Sequence, residues 1–179
     1  MEAPMHRLIP LALILGLLFG CGPKKMSPAD IATEKKAIES LVSNFWKMYE
    51  EKNLLSNPLS SAGDILIFGT DSAEVFRTVP QWETEIKNDW ELFQTLNVGD
   101  LRNVSTLVAN DGELGSIVCE LPADMTVGGQ VTHSLFRFAA AVRKEKGEWR
   151  FVHGMIAVAT VGQSSAELVA KMKATPVKK

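Results

Sequence analysis

"FRFAAAVRKEKGEWRFVHGMIAV", Phe136 to Val158, consists of two long apolar-rich runs on either side of Lys146-Gly147. Two such runs around a turn signal read as a β-hairpin. Alternation along the second run places Trp149, Phe151, His153, Met155 and Ala157 on one face. His153 is the titratable member of that face. With a hairpin loop of about four residues, Arg137 on the first strand is expected to stand near Met155.

The preceding segments extend the pattern. Strands are expected over roughly 100–109, 114–125, 131–143 and 148–160, with turn signals at Asn110-Asp111-Gly112, Gly128-Gly129 and Lys146-Gly147. Long successive strands joined by tight turns imply an antiparallel meander. Upstream, Pro80 opens "PQWETEIKNDWELFQTL", an amphipathic helix with Trp82, Ile86 and Phe93 on one face and Asp89 on the same face, seven residues after Trp82. Two short strands, "DILIFG" and "EVFRTV", flank the loop "GTDSA". Further upstream, Ser27 and Pro28 supply an N-cap and a first helical residue. Ile38, Leu41, Val42, Phe45, Trp46 and Tyr49 then form one continuous apolar stripe on a long helix ending near Lys52. "NLLSNPLSSAGD" is a turn-rich connection with room for one short helix, and "SSAELVAKMKA", from Ser164, reads as a short terminal helix. Helices on one face of a mostly antiparallel sheet make the fold class α+β.

At the amino end, Leu8 to Gly20 form a 13-residue apolar run behind Arg7. A bilayer needs about 20 apolar residues, so this run is too short to span one and reads as a secretory signal. It ends in "LFGC", Leu18 to Cys21, which resembles a bacterial lipobox, although Phe19 stands where small or β-branched residues are usual. The resemblance implies lipid on Cys21 and anchorage in the cell envelope; Gly22 in place of an Asp implies the outer membrane, facing the periplasm. Glu2 is unusual in a signal's basic region, so a start at Met5 is expected to suffice for export. With Cys21 lipidated, Cys119 is the remaining thiol; its apolar setting, "SIVCELP", suits an inert buried residue. The chain is 46% hydrophobic and 22% charged with a net charge of −2, values of a globular domain without the basic footprint of nucleic-acid binding.

Three stretches resemble the SnoaL-like branch of the nuclear transport factor 2-like superfamily, which includes ketosteroid isomerase-like proteins: "AIESLVSNFWKMYEEKN", "ILIFGTDSAEVFRTVPQWETEIKNDWELF" and the hairpin quoted above. The resemblance runs from about Ala37 to Val161 and implies a long helix and shorter helices wrapped by a strongly curved antiparallel sheet, a cone with a pocket. It divides the chain into a signal at 1–20, a lipidated tether at 21–30, the SnoaL-like domain at 31–162 and a short helix with a basic tail at 163–179. Superfamily members include isomerases, cyclases, dehydratases and binding modules, so the fold does not choose a function. The branch's last strand commonly carries Trp-Arg-Ile-x-His-x-His-x-Ser. This chain has Trp149, Arg150, Phe151 and His153, but Met155 and Ala157 replace the second His and the Ser.

Asp89, Arg137 and His153 are thus expected to point into one pocket with Met155, Trp82 and Phe151, and three accounts fit them. As an enzyme, Asp89 or His153 is a general base and Arg137 stabilises an oxyanion. As a binding module, Arg137 holds an anionic or carbonyl group between walls such as Trp82, Trp90, Phe136 or Phe151. As a structural or interaction domain, Arg137 and Asp89 form a buried ion pair and His153 donates to the backbone. One His beside a Met lacks the ligands for a metal, and neither a metal nor another cofactor is expected. In "FGTDSAEVF", Gly69-Thr70-Asp71 and Glu74 offer backbone amides and two acids near the pocket mouth if the resemblance holds, or Asp71 and Ser72 bond the local backbone of a strand-ending turn, which turn chemistry favours. Most of Glu83, Glu85, Asp89 and Glu91 are expected on a solvated helix face. Expected partners are the membrane through Cys21, a small-molecule ligand and a second copy through the sheet.

Overall fold

The structure, a computed structural model, describes residues 25–54 and 57–174. Cys21, the apolar run before it and residues 175–179 lie outside the described residues. Helix α1 spans Pro28–Glu50. Ser27 caps it: its Oγ accepts from the Asp30 N–H, while the Asp30 carboxylate accepts from the Ser27 N–H at 3.2 Å. That reciprocal pair satisfies amides the first turn leaves without helical partners. Ile38, Val42 and Trp46, four residues apart, face inward and pack against Ile117, Leu121 and Val142. Burying an aliphatic side chain of this kind stabilises by about 1.5–3 kcal/mol.

The remaining elements are β1 (Leu66–Phe68), β2 (Val75–Phe76), α2 (Val79–Leu92), β3 (Thr95–Val98), β4 (Arg102–Val108), β5 (Leu114–Val127), β6 (Gln130–Glu145), β7 (Glu148–Val158) and α3 (Ser165–Ala174). The sheet order is β2-β1-β7-β6-β5-β3, with β4 also paired to β5. Helix α1 crosses the inner face of this curved sheet, where Ile117, Cys119 and Leu121 of β5 alternate with Phe138, Ala140 and Val142 of β6. Cys119 is buried there, and burial pushes its thiol up to about 11, which keeps it protonated and unreactive.

The structure departs from the expected elements in three places. The second helix ends at Leu92, not Leu96: Phe93 is already extended, and Thr95–Val98 form a strand on β5. The ladder with β5, together with Thr95 Oγ1 donating to Thr126 Oγ1 at 2.8 Å, outweighs the helical pattern. Strand β1 lies parallel to β7, so the sheet is not a pure meander. The third departure is in the final hairpin. Its loop is two residues, Lys146 and Gly147, with φ of 52° and 87°, the turn whose twist suits a hairpin. Val142 pairs with Phe151 but Ala141 pairs with His153, which leaves Val152 as an extra residue, a β-bulge.

Candidate functional site

That single inserted residue reverses the inward set of β7. Before the bulge Trp149 and Phe151 point into the core; after it the inward positions are Gly154, Ile156 and Val158. A one-residue slip sends every following side chain to the other face. His153 therefore stands exposed on the outer face, beside Ala141 and Leu66. Arg137 lies on the same outer face, opposite Ala157 and not Met155; its side chain is 65% exposed and bonds Glu120 Oε1 at 3.2 Å. The expected grouping of Arg137, His153 and Asp89 in one pocket is thus overturned, and with it the Asp89–Arg137 ion pair. Phe151 is 3% exposed and packs edge-on against Phe45 and Phe138, behind the cavity wall. Met155, 49% exposed, sits with Phe68 at the cavity's edge.

The cavity itself, about 310 Å³, lies between the second half of α1, α2, the loop after β1 and the open end of the β6–β7 hairpin. Helical spacing builds it. Phe45 and Tyr49 are one turn apart on α1; Trp82, Glu85, Ile86 and Asp89 recur at i, i+3, i+4 and i+7 on α2. Phe136 and Phe138 rise from β6, and Trp46 stacks on Phe136 with ring centres 6.4 Å apart. The walls are therefore largely aromatic.

Asp89 is half-buried in this wall and accepts a short hydrogen bond from the Tyr49 hydroxyl. Desolvation raises its pKa; the Tyr49 bond pulls the other way, and the charges of Glu85 and Glu74 raise it further. Burial, with the Asp89 carboxylate alongside, also pushes the Tyr49 phenol up, so Tyr49 stays a donor. The pair is held from behind: Trp90 Nε1 donates to the Tyr49 carbonyl at 3.0 Å, and Lys52 Nζ donates to the Phe93 carbonyl at 2.7 Å. Trp90 thus ties α2 to α1 outside the cavity.

The loop after β1 brings a third acid. The Asp71 N–H donates to Glu74 Oε2 at 3.0 Å, and Asp71 Oδ1 accepts from the Ala73 N–H at 2.8 Å, so Asp71 serves the turn while Glu74 joins the cavity wall. Gly69 suits that close approach, because a Cβ on it would lie 2.6 Å from the Glu74 Cβ as well as against its carboxylate. Glu85, expected on a solvated face, also lines the cavity. Tyr49 and Glu85 are the residues sequence reasoning missed as site residues, and Glu74 takes the pocket-side position that the sequence leaves as the alternative to a plain turn. Their signals were present: Tyr49 places a polar tip at the end of an apolar stripe, and Glu85 precedes Asp89 by four positions.

The family model for the SnoaL-like domain matches residues 38–160. The chain belongs to the SnoaL-like family. Among solved structures it is similar to a nuclear transport factor 2-like superfamily protein from Salmonella enterica (TM-score 0.64, 15% identity, 75% of this chain and 97% of that one). It is also similar to hexachlorocyclohexane dehydrochlorinase LinA-type3 from Novosphingobium barchaimii (TM-score 0.61, 13% identity, 75% and 92%). A ketosteroid isomerase-like protein from Erwinia carotovora matches at TM-score 0.58 and 12% identity, over 71% and 97%. At such identities the likeness is one of fold. Among curated proteins none matches.

Proposed function

We propose that this chain is a lipid-anchored cell-envelope module that binds a small, largely apolar molecule in the cavity between α1, α2 and the sheet. The observation that carries the reading is the cavity: about 310 Å³, walled by aromatic rings, with a few polar groups at fixed positions. Sites of this size and lining are typical of ligand pockets. Asp89, oriented by Tyr49, is its anchoring polar group. The dehydrochlorinase and the ketosteroid isomerase-like protein lend an analogy of fold alone. The "LFGC" stretch supports lipid on Cys21, with the residues between it and α1 as the tether, and Gly22 supports sorting to the outer membrane. The outer sheet face carries exposed Leu107, Leu114 and Val118, which supports pairing with a second copy through the sheet.

Native mass spectrometry of the protein purified from its host tests the binding reading: a co-purifying organic molecule that Trp82→Ala releases is expected, and a ligand-free mass with no uptake of apolar probes would refute it. Metabolic labelling with an alkyne fatty acid tests the anchor; label should be lost in Cys21→Ser, and label that persists would refute it. A second reading, an isomerase, cyclase or dehydratase, is favoured by one observation, the raised Asp89 carboxyl in an apolar wall, a suitable general base. His153 has no part in it, lying on the outer face. Turnover of a co-purified molecule that stops in Asp89→Asn would select this reading.

A further inference from the structure

We propose that the ligand of this cavity is an organic cation, an amine or quaternary ammonium group carried on an apolar body. The inference rests on the cavity being a ligand site, and deepens that reading. Among the described residues, the charged ones lining the cavity are Glu74, Glu85 and Asp89, and no described Lys, Arg or His lines it. Lys52 is engaged with the Trp90 and Phe93 carbonyls, and Arg137 with Glu120 on the outer face.

Carboxylates against apolar walls repel one another and lose hydration, and a positive charge among them relieves both penalties. Glu85 and Asp89, four apart on α2, are a like-charged pair that weakens the helix by itself. Glu74 is not a stray side chain either, since the Asp71 amide holds its carboxylate and Gly69 makes room for it. The second, independent feature is the wall. Phe45, Trp46, Tyr49, Trp82, Phe136 and Phe138 present aromatic rings to the same space, and ring faces attract cations. Aromatic rings combined with carboxylates select an ammonium group on an apolar body over a neutral or anionic isostere. A metal ion is a poorer fit, because among the described residues no three acid, His or Cys side chains are grouped to hold one.

Calorimetric titration of the full-length chain with three probes of one skeleton, 4-phenylbutylamine, 4-phenylbutanol and 4-phenylbutyrate, tests the charge preference. The amine should bind at least tenfold more tightly than the alcohol, and the carboxylate more weakly than either. In Glu74→Gln/Glu85→Gln the amine advantage should shrink to within about threefold while the alcohol keeps its affinity, a corollary of removing charge without volume. The single variant Glu85→Gln, read the same way, serves should the double variant fail to fold. Equal binding of amine and alcohol, or preference for the carboxylate, overturns the cation inference and leaves the binding reading standing. Binding of none of the three overturns both.

Discussion

The two ends of the β6–β7 hairpin treat acidic side chains in opposite ways. At the turn end every partly buried acid has a partner. Glu145 accepts from Arg143 at 2.9 Å and from the Ser60 and Ser61 hydroxyls, and these bonds hold its carboxyl at about 2. Glu34 of α1 accepts from Lys144 at 2.5 Å and from Trp149 Nε1 at 2.7 Å, and its carboxyl is also lowered, first by the Lys144 bond. At the open end Asp89, Glu85 and Glu74 face a cavity with no basic residue among the described residues of its lining, and the Asp89 carboxyl is raised. The first arrangement fastens the sheet to α1 and to the 57–61 segment. The second gives up stability to keep negative charge beside apolar surface, the usual sign of a site.

Opposite responses to charge removal follow. Glu145→Ala should cost the most, about 1–3 kcal/mol in denaturant unfolding, because it leaves the Ser60 and Ser61 hydroxyls without their acceptor and takes one of the two acceptors of Arg143. Its pH dependence has a fixed sign. A carboxyl lowered by folding contributes stability above its unfolded value of about 4.3 and loses it as pH falls towards 2. The gap between wild type and Glu145→Ala should therefore close in that window; a constant gap would break the comparison. Glu34→Gln should cost about 1 kcal/mol, since the amide oxygen still accepts from one of its two donors.

Asp89→Asn should act in the opposite direction. It keeps an acceptor for Tyr49 and removes one member of a like-charged i, i+4 pair, a gain of about 0.2–0.5 kcal/mol at neutral pH. Because folding raises the Asp89 carboxyl, the native state holds its proton more tightly than the unfolded chain does. The gain should be absent in acid and develop as pH rises above the unfolded value. The Arg137 ion pair of the structural account, one of the three the sequence allows, would instead predict a loss of roughly 3–5 kcal/mol, so thermal melts of this variant separate the two arrangements. The smallest effects belong to the outer face: Arg137→Ala and His153→Gln should each stay within about 0.5 kcal/mol.

The contrast also marks what the sequence can disclose. The long helix is legible because Ser27, Pro28 and a 3.6-residue apolar period agree, and the cavity's α2 wall follows from Trp82 and Asp89 at helical spacing. The β7 wall is not legible, because strict alternation cannot register an extra residue at Val152, and that one residue moves His153 from the inner to the outer face. Likewise Thr95–Val98 continues a helical pattern, and only the vacant edge of β5 makes it a strand. Tyr49 as partner of Asp89 is a contact across 40 positions, which local periodicity does not encode.

The titration of the Asp89 carboxyl, followed by carboxyl-carbon NMR in the folded chain with and without 4-phenylbutylamine, tests the central claim most directly. The account predicts a midpoint above the ordinary Asp value of about 3.9 in the free protein and a fall on adding the amine, as a cation among unpaired acids requires. A free-protein midpoint at or below about 3.9 would mean that burial and the neighbouring acids do not outweigh the Tyr49 hydrogen bond, and would contradict the account.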